Sequence, residues 1–168
     1  MLHTSIERRV LRFRTPATTS RGTYATRTIR LIHVTDDTQP GIEGVGECSP
    51  LPDLSADALP DNEYDLLLLT VCQDLRESGT PDREALRPYP SILFGLETAI
   101  WQLERGGDTA LSDTPFARGE NGIRINGLVW MGSFDEMTRR MEEKVKAGFS
   151  CVKLKIGGID FEHELAMV

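Results

Sequence analysis

The stretch CVKLKIGG, residues 151–158, has the pattern of a buried strand that carries two lysines. Side chains alternate between the two faces of a strand, so one face is predicted to be apolar and the other to carry Lys153 and Lys155. The predicted apolar face consists of Val152, Leu154 and Ile156. Two ammonium groups about 7 Å apart along a strand repel each other, so each is expected to lose its proton more easily. A lysine of that kind can act as a base near neutral pH. The same pattern also fits an edge strand whose lysines face water and prevent aggregation.

Composition and charge narrow the classes of function. The 168 residues suffice for one well-cored domain, or for one domain and the beginning of another. With 26 acidic and 19 scattered basic residues the net charge is −7, which argues against a nucleic-acid partner. The three cysteines lie far apart and lack metal-site spacing, which predicts reduced thiols in a cytoplasmic protein. No signal peptide or membrane segment is predicted, because the apolar runs are short.

The first part of the chain is predicted to be an α+β domain. Three β-prone segments, 6–13, 23–34 and 42–48, predict a three-stranded antiparallel meander. The polar segment 14–22 between the first two predicts a mobile loop. Gly44 and Gly46 in the third segment permit a bend or a close approach of two backbones.

Two helices and a boundary are predicted next. Apolar residues at three- and four-residue intervals predict helices over 61–78 and 90–105, each followed by glycine. The irregular segment that ends at Gly122 predicts a division into an α+β domain, 1–122, and a second domain that begins at 123–168.

The second domain has the rhythm of strand, helix and strand. A strand over 123–130, a helix with a capping box at Ser133 and Glu136, and the lysine strand form a βαβ crossover, which requires a parallel sheet. Asp160, Glu162 and Glu164 are interpreted as acids at the start of a further helix and not as metal ligands. Two parallel strands cannot close a barrel, so the remainder of the protein is expected to lie outside this chain.

Three features together resemble a known family: GVGECSPLP at 44–52, Asn126-Gly127, and Lys153-x-Lys155 on the second strand of a βα series. The chain resembles the enolase superfamily, more narrowly its muconate-lactonising subgroup, and within it the o-succinylbenzoate synthases. The resemblance implies a capping domain followed by the first βα units of a modified TIM barrel, which is incomplete in this chain.

The resemblance also implies a reaction. In these lyases a proton alpha to a carboxylate is removed, Mg²⁺ holds the resulting enediolate, and hydroxide leaves as water. A hydroxycyclohexadiene carboxylate thereby becomes o-succinylbenzoate, in menaquinone biosynthesis. Lys155 matches the lysine that serves as base and later as acid, and Lys153 matches its neighbour that tunes it. The family's acidic Mg²⁺ ligands and its second catalytic lysine come from later strands, beyond Val168. The 168-residue chain alone is therefore expected to hold no metal site and to be inactive.

The family closes two cap loops over the barrel mouth, and these match 14–27 and 48–54 in this chain. The resemblance therefore implies that the cap loops contact a small carboxylate substrate through Ser20, Arg21, Gly22, Pro50 and Leu51. Arg21 would bind the carboxylate by charge-assisted hydrogen bonds, although a solvated loop arginine fits the sequence equally.

Two other functions remain open at this point. A dipeptide or N-acylamino acid epimerase or racemase of the same superfamily would use the same Lys155 with an opposing lysine. A non-catalytic α+β binding module whose last strand pairs with another chain is an alternative of a different class.

Overall fold

A computed structural model of the chain describes residues 1–19, 22–110 and 112–167. It contains two compact units, Met1–Arg12 with Thr26–Ala110 and Phe13–Ala25 with Leu111–Val168. The division at residue 122 stays a prediction. In chain order the elements are β1 Leu2–Thr19, β2 Gly22–Asp36, β3 Glu43–Cys48, α1 Asp61–Ser78, α2 Pro90–Glu104, β4 Gly127–Val129, α3 Phe134–Lys146, β5 Val152–Leu154 and α4 Phe161–Ala166.

The sheet of the α+β part has the predicted meander order β1-β2-β3. Strands β2 and β3 are antiparallel, with Arg30 opposite Cys48 and Thr35 opposite Glu43. At the start of β1, His3 Nε2 lies 2.7 Å from Asp37 Oδ1, just past the end of β2. Neighbouring strands therefore run in opposite directions, as a meander requires.

The predicted mobile loop at 14–22 is wrong over most of its length. Strand β1 continues to Thr19 and β2 begins at Gly22. Threonine favours the extended backbone, and pairing satisfies backbone hydrogen bonds without requiring an apolar face. Across the two strands, Thr18 Oγ1 lies 3.2 Å from Thr23 Oγ1. A polar ribbon therefore forms where the sequence predicted irregular structure.

Helices α1 and α2 form the core of the first unit with the sheet, at the positions that the apolar spacing predicted. Helix α1 ends at Gly79, which adopts the left-handed conformation at φ +78°, and α2 begins with a proline in its first turn. The fully buried side chains of this core include Ile32, Val34, Tyr64, Leu68, Ile92, Leu96 and Ala99.

Strand β3 and helix α2 approach each other so closely that glycine is required at the contact. A Cβ atom on Gly46 would lie 1.7 Å from the carbonyl oxygen of Gly95, and one on Gly44 would lie 1.9 Å from that of Ala99. On the helix, a Cβ on Gly95 would lie 2.4 Å from Cys48 Sγ. The close backbone approach predicted for Gly44 and Gly46 is confirmed.

The cysteines of the described residues are free thiols. Cys48 and Cys72 are buried in the core, and burial raises the pKa of Cys48 to about 12 and that of Cys72 to about 11. Both are therefore protonated and unreactive at neutral pH. Cys151 is exposed.

The second unit contains the predicted βαβ crossover. Strands β4 and β5 are parallel, with Gly127 opposite Val152 and Val129 opposite Leu154. Helix α3 connects them and begins with the predicted capping box, in which Ser133 and Glu136 each accept a backbone hydrogen bond from the other. The buried side chains of this unit include Val129, Met137 and Met167.

The first strand of this crossover is shorter than predicted. Strand β4 covers only Gly127–Val129, so the strand predicted over 123–130 is wrong at 123–126 and at 130. Ile123 and Ile125 are exposed. The ladder with β5 spans three residue pairs, so the residues before Gly127 have no strand partner in the part of the chain that the structure describes.

Across the described residues, none of the helices has both the length and the apolar composition needed to cross a membrane.

Replacing Gly46 with Ala is expected to destabilise the first unit by about 3 kcal/mol, because the added methyl group overlaps the backbone of α2. The control is Gly122→Ala, since a Cβ at Gly122 meets nothing within 4 Å. Urea denaturation followed by circular dichroism measures both. Equal midpoints for the two variants would contradict the close packing of β3 on α2.

Candidate active site

The two lysines lie at and just beyond the carboxyl end of β5. Lys153 is within the strand, opposite Leu128, and its side chain is exposed. Lys155 follows the strand and is half-buried. Its backbone N–H donates to the carbonyl oxygen of Val129 at 3.0 Å, which extends the hydrogen bonding between the strands by one step. Barrel enzymes place their catalytic residues at this end of their strands.

The predicted apolar face of the lysine strand is correct only in part. Val152 and Leu154 pack against the buried cluster of the second unit, but Ile156 is 59% exposed. Strand β5 ends at Leu154, and Gly157 turns the chain with φ +96°. Alternation of side chains therefore stops before it reaches Ile156.

Trp130 lies beside Lys155. The Lys155 Nζ atom is 5.9 Å from the centroid of the Trp130 ring, within the range of a cation–π contact. The indole Nε1 is buried and has no hydrogen-bond partner among the described residues. Trp130 was not predicted from the sequence as a residue of the site. The register of β4 and β5 could have indicated it. Val129 is opposite Leu154, so the residues that follow the two strands, Trp130 and Lys155, are neighbours.

A loop of two glycines follows Lys155 and is held by Glu164. The backbone N–H groups of Gly157 and Gly158 both donate to Glu164 Oε1, at 2.5 and 3.2 Å. The interpretation of Glu164 as an acid at the start of the helix is therefore incomplete, because its side chain is buried and turned toward this loop.

Asp160 has the capping role that the sequence predicted. It accepts a hydrogen bond from the His163 backbone N–H at 3.2 Å at the start of α4. Its side chain also contacts the His163 ring, and this hydrogen bond lowers the pKa of Asp160.

The predicted cap-loop residues are distributed between the two units. Ser20 and Arg21 lie outside the described residues. Gly22 begins β2 and belongs to the same unit as the two lysines. Pro50 and Leu51 belong to the other unit, where the Leu51 N–H donates to Ser55 Oγ at 2.9 Å.

An open cavity of about 580 Å³ lies beside the loop that contains Pro50. Its polar lining includes Arg27, Glu47, Ser49, Asp57 and Ser91. Arg27 Nη2 donates to the carbonyl oxygen of Ser49 at 2.7 Å and so ties β2 to the start of this loop. Arg27 and Ser49 lie within the predicted cap loops 14–27 and 48–54, but none of these lining residues was predicted to contact the substrate.

The carboxylates of the described residues do not form a metal site. No group of three or more His, Cys, Asp or Glu side chains within 1–19, 22–110 and 112–167 is placed to hold a metal ion. The pair Asp160 and His163 lies together at the start of α4 without a third ligand.

No protein-family model matches the sequence. The chain is 33% identical over 193 residues to the o-succinylbenzoate synthase of Desulfotalea psychrophila, covering 98% of this chain and 52% of that protein. A solved structure of an enolase family member from Agrobacterium tumefaciens, with homology to dipeptide epimerases, superimposes with a TM-score of 0.71 at 18% identity. That match covers 100% of this chain and 50% of the other. In sequence the chain is similar to an o-succinylbenzoate synthase, and in fold it is similar to proteins of the enolase superfamily.

Two further solved structures have the same fold. MenC from Desulfotalea psychrophila is 27% identical, with a TM-score of 0.67 over 99% of this chain and 51% of that one. The o-succinylbenzoate synthase of Thermosynechococcus elongatus, complexed with Mg in the active site, is 22% identical, with a TM-score of 0.63 over 98% and 46%. The chain thus spans about half the length of these relatives. The three-stranded sheet with its helices matches the capping domain of the superfamily. Strands β4 and β5 match part of the superfamily's TIM barrel, which is incomplete in this chain.

Replacing Trp130 with Leu is expected to remove the ring-current shift of the Lys155 side-chain methylene protons, because the aromatic face beside the ammonium group is lost. Trp130→Phe is the matched control and should keep part of the shift. NMR spectra of protein with ¹³C-labelled lysine measure it. A Lys155 spectrum that is identical in the wild type and the Leu variant would contradict the contact.

Proposed function

We propose that this chain provides the capping domain, 1–122, and the first barrel strands, 123–168, of a lyase that dehydrates a hydroxycyclohexadiene carboxylate to o-succinylbenzoate. The observation that carries the proposal is the position of Lys155 at the carboxyl end of the second parallel strand. The 33% identity to an o-succinylbenzoate synthase supports this reaction over others of the superfamily. The product would enter menaquinone biosynthesis.

Lys155 is the proposed base. Its neutral amine takes the proton alpha to the substrate carboxylate, and the electron pair of the broken C–H bond moves into the carboxylate to give an enediolate. The enediolate then returns to a carboxylate, its electron pair forms the new ring double bond, and the C–O bond of the ring hydroxyl breaks. The departing hydroxide takes the proton from Lys155 and leaves as water. One residue thereby serves both steps, and the two products are o-succinylbenzoate and water.

Lys153 is proposed to assist and not to transfer the proton. It lies two residues earlier, on the exposed part of the strand, whereas Lys155 is half-buried and follows the last residue of the strand. A second positive charge on this face stabilises negative charge that develops on the substrate after proton loss. The difference in burial supports different roles for the two lysines.

Mg²⁺ is the proposed cofactor, and its ligands are proposed to come from residues outside 1–168. The described carboxylates do not fit a Mg²⁺ site, as no suitable group of three is present among them. When bound, the ion would supply positive charge to the enediolate oxygens. The related structure from Thermosynechococcus elongatus is complexed with Mg in the active site.

The substrate is proposed to be a small carboxylate that the cap loops contact through Ser20, Arg21, Gly22, Pro50 and Leu51. For the first loop, the proposal is supported by Gly22, which lies in the same compact unit as Lys153 and Lys155. For the second loop, the proposal is supported by the hydrogen bond from Arg27 to Ser49, which holds the start of that loop in place. A cytoplasmic location stays a prediction.

In the complete enzyme, Lys155→Ala is expected to abolish exchange of the substrate's alpha proton with solvent, since a positioned general base contributes roughly 10²- to 10⁴-fold. Lys153→Ala should reduce the exchange less. Proton NMR in D₂O with Mg²⁺ present measures the rate. Lys146→Ala, at the end of α3, is the matched control and should exchange at the wild-type rate. Undiminished exchange in the Lys155 variant would contradict the proposed role of Lys155 as the base.

A further inference from the structure

We propose that Glu164 is a positioning residue for Lys155, which it holds in place by binding the backbone of the loop that follows the lysine. The structural part of the proposal concerns the carboxylate of Glu164 and the N–H groups of Gly157 and Gly158. Its catalytic consequence rests on the proposed function of Lys155 as the base.

The Glu164 carboxylate is bound by backbone donors in a buried place. The residue is 8% exposed, and a single oxygen, Oε1, accepts from the N–H groups of Gly157 at 2.5 Å and of Gly158 at 3.2 Å. It takes part in no ion pair with the Lys, Arg or His side chains that the structure describes. A buried carboxylate needs compensation, and two consecutive N–H groups provide it as an anion-binding nest.

The conformation of the loop suits this contact. Gly157 has φ +96°, which glycine adopts without the cost that a side chain imposes. The turn directs consecutive N–H groups to one side, where Glu164 returns from α4. The loop and the helix are therefore joined by charge-assisted hydrogen bonds, which are stronger than neutral ones.

Lys155 lies between two fixed points. On one side its own N–H donates to the Val129 carbonyl oxygen at 3.0 Å. On the other side a single residue separates it from Gly157. A Cβ on Gly158 would lie 3.5 Å from the Met131 side chain, so the loop also packs against the segment that follows β4. Loss of the Glu164 contact would release one of the two anchors.

Helix α4 is itself anchored, so Glu164 can act as a support. Met167, at the end of α4, is buried in the cluster with Val129 and Met137. The carboxylate thus links the loop after Lys155 to the core of the unit. A displacement of a catalytic group by about 1 Å can lower a rate by roughly a hundredfold.

The contact is tested first without catalysis, by amide hydrogen exchange of Gly157 and Gly158 measured by NMR. Glu164→Ala is expected to speed exchange at these two amides by about tenfold or more, since their charged acceptor is removed. Glu164→Gln keeps the Oε1 acceptor and should remain within about threefold of the wild type. Glu162→Ala, an exposed position on the same helix, should change neither amide. Wild-type exchange in the Ala variant, or equal acceleration in the Gln and Ala variants, would overturn the proposal.

The positioning role is tested next in the complete enzyme with Mg²⁺ and the hydroxycyclohexadiene carboxylate. Glu164→Ala should lower kcat by about 10- to 100-fold with KM unchanged, and Glu164→Gln should recover most of it. A role in folding alone would lower the amount of folded protein and leave kcat per folded molecule at the wild-type value, which would overturn the proposal.

The two proposals fail in different ways. If Lys155→Ala retains proton exchange, the proposed function fails while the amide exchange of Gly157 and Gly158 still reports on Glu164. Only the positioning role fails if Lys155→Ala is inactive while Glu164→Ala has the wild-type kcat and the wild-type rate of amide exchange at Gly157 and Gly158.

Discussion

The parallel pairing of β4 with β5 is the constraint on which the proposed chemistry depends. The ladder spans three residue pairs, and the next residues, Trp130 and Lys155, lie side by side because the register places Val129 opposite Leu154. So short a ladder needs support from side-chain packing. That support comes from the buried cluster around Met137, and Glu164 extends it beyond the last strand residue. The placement of a half-buried lysine at the carboxyl end follows from these contacts.

Features set by neighbouring residues in the sequence were predictable. The limits of α1, Asp61–Ser78, follow from the spacing of its apolar side chains and from Gly79, and the capping box at Ser133 is a pattern of four residues. A close backbone approach at Gly44 and Gly46 was one of the two possibilities that the sequence indicated, beside a bend. Strand β1 beyond residue 13 was not, because a polar ribbon is stabilised by pairing with another strand and leaves no apolar alternation in the sequence.

The candidate site was predictable only in its central residues. Alternation placed both Lys153 and Lys155 on a strand, which is correct for Lys153 but not for Lys155, because β5 ends at Leu154. The apolar face was wrongly extended to Ile156 for the same reason. The position of Trp130 beside Lys155 depends on the register of two strands that a helix separates in the sequence. Glu164 depends on how α4 returns over the glycine loop, which the pattern of acids at a helix start does not reveal. Contacts that require the fold to bring distant residues together were the ones missed.

The central proposal is that this chain belongs to a lyase that uses Lys155 and not to an epimerase of the same fold. The product that the complete enzyme forms tests this proposal most directly. The enzyme is incubated with Mg²⁺ and either the hydroxycyclohexadiene carboxylate or a panel of dipeptides and N-acylated amino acids. We expect rapid formation of aromatic o-succinylbenzoate, measured by its ultraviolet absorbance, with little epimerisation. Epimerised dipeptide or N-acylamino acid without formation of the aromatic product would contradict it.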